Sequence, residues 1–262
     1  SYRENEIINR MEYALKHGEF KVYLQPKVRL DDLRLIGAEA LVRWQHEDGK
    51  IIPPGDFIPL FEKNGFITQV DTYVFRTVCG QMSRWMEEGG VPVPISVNLS
   101  SVDIASEQLI PQILEITRTS GLDHRYLEFE LTEAMVFEDL PRLKEIIAEL
   151  HEAGYRCSMD DFGSGYSSLN VLKDIPVDIL KLDRGFFMGG ETERGVNVVK
   201  AVLHMARELH MKTVAEGIET SSLVNFLKEE GCDMVQGYVF YKPMPAREFE
   251  YEILEKESGT VV

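Results

Sequence analysis

From residue 93 onward this 262-residue chain alternates short apolar runs with longer segments whose apolar residues recur every three or four positions. The runs at 93–99, 126–131, 156–160, 177–182, 212–216 and 234–236 read as strands. The segments near 106–119, 140–153, 166–173, 196–209 and 221–229 read as helices. Two helix faces are well marked, one by Leu143, Ile146, Ile147 and Leu150, the other by Val198, Val202, Ala206 and Leu209. A strand that must pair in parallel with its predecessor needs a crossover too long for a tight turn, and a helix supplies it. The alternation therefore predicts a parallel sheet wound with helices.

Upstream, 20–28 (FKVYLQPKV) and 33–44 read as two more strands around Asp31 and Asp32, able to pair as a hairpin. That brings the count to about eight, enough to close a TIM-like (β/α)8 barrel. An open doubly wound sheet is the competing α/β architecture, but no GxGxxG turn follows a strand here. Between hairpin and repeat lie a turn-rich stretch with Pro53, Pro54 and Gly55, a short helix near 58–63, and a long helix striped by Val70, Val74, Val78, Met82 and Trp85. A leading helix at 4–17 carries Ile8, Met11 and Leu15 on one face, and Gly18 ends it. No Pro- or Ser-rich linker divides the chain. The reading is one domain over 18–256, preceded by a connecting helix at 1–17 and followed by a tail at 257–262.

Charge narrows the function. With 44 acidic against 28 basic side chains the net charge is −16. Such a surface repels nucleic-acid polymers and anionic membranes, so direct binding to either is not expected. A phosphate-bearing substrate needs metal ions and local basic residues to overcome that field. Cys79, Cys157 and Cys232 are odd in number and set among apolar neighbours, without a CxxC pair. They read as free thiols in a reducing compartment rather than zinc ligands. No apolar run is long enough to span a bilayer. The expected location is the cytoplasm, either free or as the cytoplasmic part of a membrane-anchored protein.

The stretch CSMDDFGSGYSSL (157–169) ends a strand in two adjacent carboxylates, Asp160 and Asp161, before Gly163 and Gly165. An acidic turn capping the helix that begins at Tyr166, with Ser164 or Ser167 as cap, explains it as well as a cation site does. The Asp-Phe-Gly tripeptide also occurs in protein kinases, but no kinase catalytic loop or glycine-rich phosphate loop precedes it. The other strand ends decide the matter. Asn98, Glu130, Lys181, Glu216 and Gln236 fall near the C-terminal ends of predicted strands, and Glu39 lies in the second strand. Period-2 alternation sends Asn98, Glu130 and Lys181 into the barrel while Val97, Leu99, Phe129, Leu131, Leu180 and Leu182 face the helices. Barrel enzymes work at that end. Carboxylates gathered there repel one another, and one or two divalent cations relieve the repulsion. Oxygen ligands without a nearby histidine favour Mg²⁺ or Mn²⁺, and two ions sharing Asp160 suit phosphodiester hydrolysis.

The strings EALVRW (39–44), SVNLS, ELTE, DDFGSGYSSL, KLDRGFF, AEGIE and QGYVFYKP occur in this order. Together they closely resemble the EAL-domain family of cyclic di-GMP phosphodiesterases, over about 18–249. The resemblance implies a TIM-like barrel whose first strand runs antiparallel to the rest. It implies hydrolysis of one phosphodiester bond of cyclic di-GMP to linear pGpG. By the same resemblance Glu39, Asn98, Glu130 and Asp160 ligate a first metal, and Asp160 with Asp161 a second. Lys181 holds the attacking water, Glu216 is general base or second-metal ligand, and Gln236 supports the site. Glu133 and Glu219 match residues that brace its loops. Gln25, Leu41, Arg43, Pro59, Asp160 and Tyr241 match substrate contacts, although an aromatic ring at Tyr241 departs from the commoner small residue. The DFGSGYSS loop is linked in the family to metal binding and dimerisation, implying a homodimer. The leading helix points to a preceding GGDEF or sensory domain. The alternative from another class is a catalytically silent cyclic di-GMP receptor; the complete ligand set favours the enzyme.

Overall fold

The computed structural model describes residues 1–164, 169–188 and 192–252. Helix α1 (Tyr2–Lys16) leads to strands β1 (Phe20–Arg29), β2 (Leu35–Gln45) and β3 (Ile51–Ile52), then helices α2 (Pro54–Asn64) and α3 (Ile67–Glu87). Next come β4 (Ile95–Asn98), α4 (Ser101–Ala105), α5 (Leu109–Ser120), β5 (Leu127–Thr132), α6 (Glu133–Glu138), α7 (Leu140–Glu152) and β6 (Arg156–Phe162). The chain continues through α8 (Leu169–Asp174), β7 (Ile179–Leu182), α9 (Glu193–Glu208), β8 (Lys212–Glu216), α10 (Ser221–Glu229), β9 (Met234–Gln236), β10 (Met244–Pro245) and α11 (Ala246–Glu250).

Strands β2, β4, β5, β6, β7, β8 and β9 pair in parallel in that order. β1 closes the cylinder by pairing antiparallel with both β2 and β9. The result is the expected eight-stranded barrel with a reversed first strand. β3 and β10 are short antiparallel additions to β2 and β1. The hairpin reading explains the reversal, since a chain that turns straight back cannot pair in parallel.

Leu143, Ile146, Ile147 and Leu150 of α7 are fully buried, as are the five striped positions of α3 to within a few per cent. An aromatic cluster of Phe20, Trp44, Phe57 and Phe61 packs α2 onto the outer face of β1 and β2, with ring centroids 5.0 to 6.0 Å apart. Burying each such side chain contributes roughly 1.5–3 kcal/mol. The indole Nε1 of Trp44 donates to Glu19 Oε2 at 2.9 Å, and Arg10 of α1 pairs with the same carboxylate. Helix α1 is thus tied to the barrel wall.

Three expectations need correction. On α1 it is Ile7, not Ile8, that is buried, together with Ala14; Met11 and Leu15 are partly buried. On α9 the buried set is Val199, Val202, Leu203 and Ala206, whereas Val198 and Leu209 are exposed. The helix expected over 106–119 is α5, which begins later, at Leu109, and the short α4 before it, closed by Ser106 in an extended conformation, was not expected. The expected helix start at Tyr166, and Ser167 as its cap, lie outside the described residues, as does the tail.

Candidate metal centre

Alternation along the strands sets the centre. Odd residues of β1 and β2 face the barrel interior, so Gln25 stands opposite Glu39 across the hairpin. Asn98 and Glu130 are register partners on β4 and β5, and Glu216 and Gln236 on β8 and β9. Lys181 is completely buried at the middle of this group. Its Nζ lies 2.7 Å from Glu130 Oε2, 3.0 Å from Glu216 Oε1, 3.1 Å from Glu39 Oε2 and 3.4 Å from Asp160 Oδ1. Asn98 Nδ2 donates to Glu39 Oε1 at 3.1 Å, and Gln236 Nε2 donates to Glu39 Oε2 at 2.6 Å and to Gln25 Oε1 at 3.1 Å.

The turn after β6 positions the paired aspartates. Register slips between Met159 and Phe162, and Asp161 adopts φ 56°, unusual for a residue with a side chain. Its backbone N–H donates to Asp160 Oδ1 at 2.9 Å. Gly163 follows at φ 95°, where a Cβ would lie 1.7 Å from the Phe186 ring. Only glycine fits there.

Two triads emerge: Glu39, Glu130 and Asp160, and Asp160, Asp161 and Glu216. In each, one ligand oxygen per residue lies within 4.8 Å of the others. Charge compensation is partly internal, which the sequence reading did not anticipate. Besides Lys181, Lys27 is buried beneath the centre, its Nζ 2.9 Å from Ser96 Oγ and 3.4 Å from both Glu128 Oε1 and Glu130 Oε1. Two lysines still leave the carboxylates in excess. Burial and the neighbouring Glu39 push the Glu130 carboxyl up to about 8. Burial and Asp160 raise Asp161 to about 6, and burial lifts Glu216 well above the usual range, against the pull of Lys181. Glu39 goes the other way: burial opposes ionisation, but Lys181, Lys27 and the Gln236 and Asn98 amides hold it low. Burial likewise disfavours the Lys181 ammonium, yet Glu130, Glu216, Glu39 and Asp160 keep it charged. Oxygen donors alone, with negative charge left over, fit a hard divalent cation.

The structure brings Glu39, Asn98, Glu130, Asp160, Asp161, Lys181, Glu216, Gln236 and Gln25 together. The outer residues stand apart. Leu41 and Arg43 follow Glu39 on the same face of β2; the Arg43 guanidinium sits 5.8 Å from the Tyr23 ring centroid, and no carboxylate pairs with it among the described residues. Pro59 is exposed within α2. The Tyr241 hydroxyl donates to Glu252 Oε2 at 3.3 Å, and its carbonyl accepts from Gln25 Nε2. Glu133 is buried at the start of α6, whereas Glu219 is exposed and pairs with Arg184 at 3.6 Å. The sequence reading passed over Lys27, Ser96 and Glu128. They share the strand phase of Gln25, Asn98 and Glu130, one step deeper, and that phase could have found them.

Known proteins agree with this picture. The family model for the EAL domain matches residues 8–243. The bifunctional diguanylate cyclase/cyclic di-GMP phosphodiesterase MucR of Pseudomonas aeruginosa is 36% identical over 245 residues, covering 93% of this chain and 36% of that protein. The probable cyclic di-GMP phosphodiesterase PdeB of Escherichia coli is 37% identical, over 92% of this chain and 46% of its own length. The solved PaMucR phosphodiesterase in complex with c-di-GMP superposes with a TM-score of 0.87 at 36% identity, covering 93% of this chain and 99% of that one. The chain spans about a third of the length of the first curated relatives it matches. Among the described residues no helix is long and apolar enough to cross a membrane. With the match extending over most of its length, the chain belongs to the EAL domain family.

Proposed function

We propose that this barrel is a metal-dependent phosphodiesterase that hydrolyses one phosphodiester bond of cyclic di-GMP to give linear pGpG. The observation that carries the reading is the ring of Glu39, Glu130, Asp160 and Glu216 around the buried Lys181, with Asp161 beside it. Relatives named as cyclic di-GMP phosphodiesterases support the choice of substrate.

Glu39, Asn98, Glu130 and Asp160 would hold one divalent cation, Mg²⁺ or Mn²⁺, and Asp160, Asp161 and Glu216 a second. When bound, such ions neutralise phosphate charge and make water a stronger nucleophile at neutral pH. The remaining work falls to the chain. Lys181 donates from a fixed ammonium and holds the attacking water in line with the phosphorus. Glu216 Oε1, 3.0 Å from Lys181 Nζ, accepts the water's proton. Attack at phosphorus breaks the bond to the ribose 3′ oxygen, which takes up a proton and leaves the 5′ phosphate of pGpG. Gln236 and Asn98 fix both oxygens of Glu39. Gln25, Leu41, Pro59 and Tyr241 line the substrate's path. The Arg43 guanidinium, without a carboxylate partner among the described residues, grips a phosphate. Glu133 and Glu219 brace the surrounding loops. We place the protein in the cytoplasm as a homodimer, the barrel following a GGDEF or sensory domain; a second domain is supported by the bifunctional name of MucR, a diguanylate cyclase as well as a phosphodiesterase.

The test is direct. Purified protein is incubated with cyclic di-GMP and Mg²⁺ or Mn²⁺, or with EDTA, and the products are separated. The reading requires metal-dependent pGpG. Tight binding of cyclic di-GMP with no turnover under either metal would replace it with a receptor.

A further inference from the structure

The opposite end of the barrel has a charged mouth of its own. The alternation that points Lys27, Glu130 and Glu216 inward also points Arg29 of β1, Arg156 of β6 and Lys212 of β8 inward near the start of the parallel strands and the end of the reversed one. These side chains line a cavity of about 680 Å³ at the N-terminal mouth, remote from the metal centre. Its deeper wall is apolar, formed by Ile36, Ile179 and Met234. Lys228 and His210 join the rim from the ends of α10 and α9.

The acids around this cavity are largely engaged. Glu128 holds Lys27. One oxygen of Asp178 accepts the Cys157 N–H at 2.8 Å and lies 2.8 Å from His151 Nε2. Asp233 accepts the backbone N–H and the hydroxyl of Thr213, and touches Lys212 only at 3.7 Å. Asp31 faces Arg29, whose guanidinium is bound to Asp32. Arg156 and Lys228 have no carboxylate partner among the described residues. In a chain with a net charge of −16, unpaired cations directed into one concavity are the exception. The mouth of a barrel opposite its active site ordinarily serves stability, and apolar side chains would plug it better than converging cations.

We propose that this N-terminal mouth binds a small organic phosphate of mononucleotide size. Arg156 supplies a bidentate grip, Lys212 and Lys228 add point charges, and the apolar wall takes the organic part. The volume lies within the range of small-molecule sites. Lys27 connects the two ends, lining the cavity while its Nζ reaches Glu130. This assignment does not depend on the phosphodiesterase reading.

Adenosine monophosphate titrated calorimetrically into EDTA-treated protein tests it, because without metal the acidic mouth repels phosphate. Saturable binding is expected, weakened about tenfold or more in the Arg156→Gln/Lys212→Gln variant and unaffected by Arg43→Gln at the other mouth. Thermal melting checks that the double variant folds; Lys228→Gln, at an exposed rim position, is expected to weaken binding even if the double variant does not fold. No saturation up to about 10 mM would overturn the proposal. So would binding that survives the mouth substitutions, or that disappears with Arg43→Gln.

Discussion

At the residue scale, Lys181 is a counter-ion as much as a reagent. Its ammonium is the nearest positive charge to four carboxylates, all within 3.4 Å. Removing one partner of a buried ion pair costs about 3–5 kcal/mol, because the other charge stays behind. Lys181→Met is therefore expected to lose turnover and to melt below the wild type in EDTA. A divalent cation replaces the missing charge, so Mn²⁺ should raise the variant's melting temperature by more than it raises the wild type's. Thermal melts with and without Mn²⁺ decide it, and an equal gain in both proteins would remove the counter-ion role. Glu39→Gln asks a different question. The amide has the shape of the carboxylate and keeps contact with Gln236 or Asn98, but loses the charge a metal needs. Turnover should fall by about a hundredfold or more, and the melting temperature should fall too, because the ionised carboxylate beside Lys181 contributes stability at working pH. Glu39, Glu130 and Lys181 were legible in the sequence because each is flanked by apolar residues, Glu39 within β2 and the other two near strand ends. Lys27 was legible only by phase: it alternates with Gln25, but that a lysine, ordinarily a surface residue, is drawn beneath the site follows only from Ser96, Glu128 and Glu130, which lie far off in the chain.

At the element scale, the junction of β6 with its turn governs the second triad. Asp161 and Gly163 both have positive φ, and the Phe186 ring occupies the space a Cβ at 163 would need. Gly163→Ala is expected to destabilise the fold by roughly 1–3 kcal/mol, since ring and turn must shift together. The shift also moves Asp160 and Asp161, so Mn²⁺ affinity should fall in the same variant. Urea denaturation and a metal titration read the two effects, and an alanine variant matching wild type in both would show the turn to be pliable. Element order was legible for a related reason: strands buried on both faces are short apolar runs, and the long helices on the barrel's outside carry full stripes. Short or frayed elements were not. Six-residue α6 and five-residue α4 are too brief for a period. The errors at Ile8 and Val198 are errors of phase by one residue, whereas Leu209 is the cap residue just past the end of α9. A helix with mixed apolar positions offers two adjacent faces, and only the wall it packs on chooses between Ile7 and Ile8.

For the whole molecule, the concentration of buried acids ties stability to pH and metal together. Glu130, Asp161, Glu216 and the α3 carboxyl Asp71, which burial and then Asp103 raise, all hold protons more tightly than ordinary carboxyls. Above the ordinary carboxylate range the unfolded chain has released protons that the folded protein still binds. The stability these groups contribute is full at acid pH and is lost as pH rises through their folded values, from about 6 for Asp161 to about 8 for Glu130. Glu39 runs opposite, but its contribution is lost only as pH falls toward about 2, below the working range. Metal-free protein should therefore melt lower at about pH 8 than at about pH 6. A divalent cation competes with the same protons, because its ligands must be ionised to bind it. At about pH 6 part of the binding free energy goes to displacing protons from Glu130 and Asp161; at about pH 8 less does. The rise in melting temperature produced by a fixed Mn²⁺ concentration should grow between those values, and Asp71→Asn, lying outside both triads, should leave that growth intact. Melting curves at several pH values with EDTA or Mn²⁺ measure both slopes. A metal-induced shift that stays constant across the range would mean that Glu130, Asp161 and Glu216 do not hold the ion, and the hydrolytic reading would lose its centre.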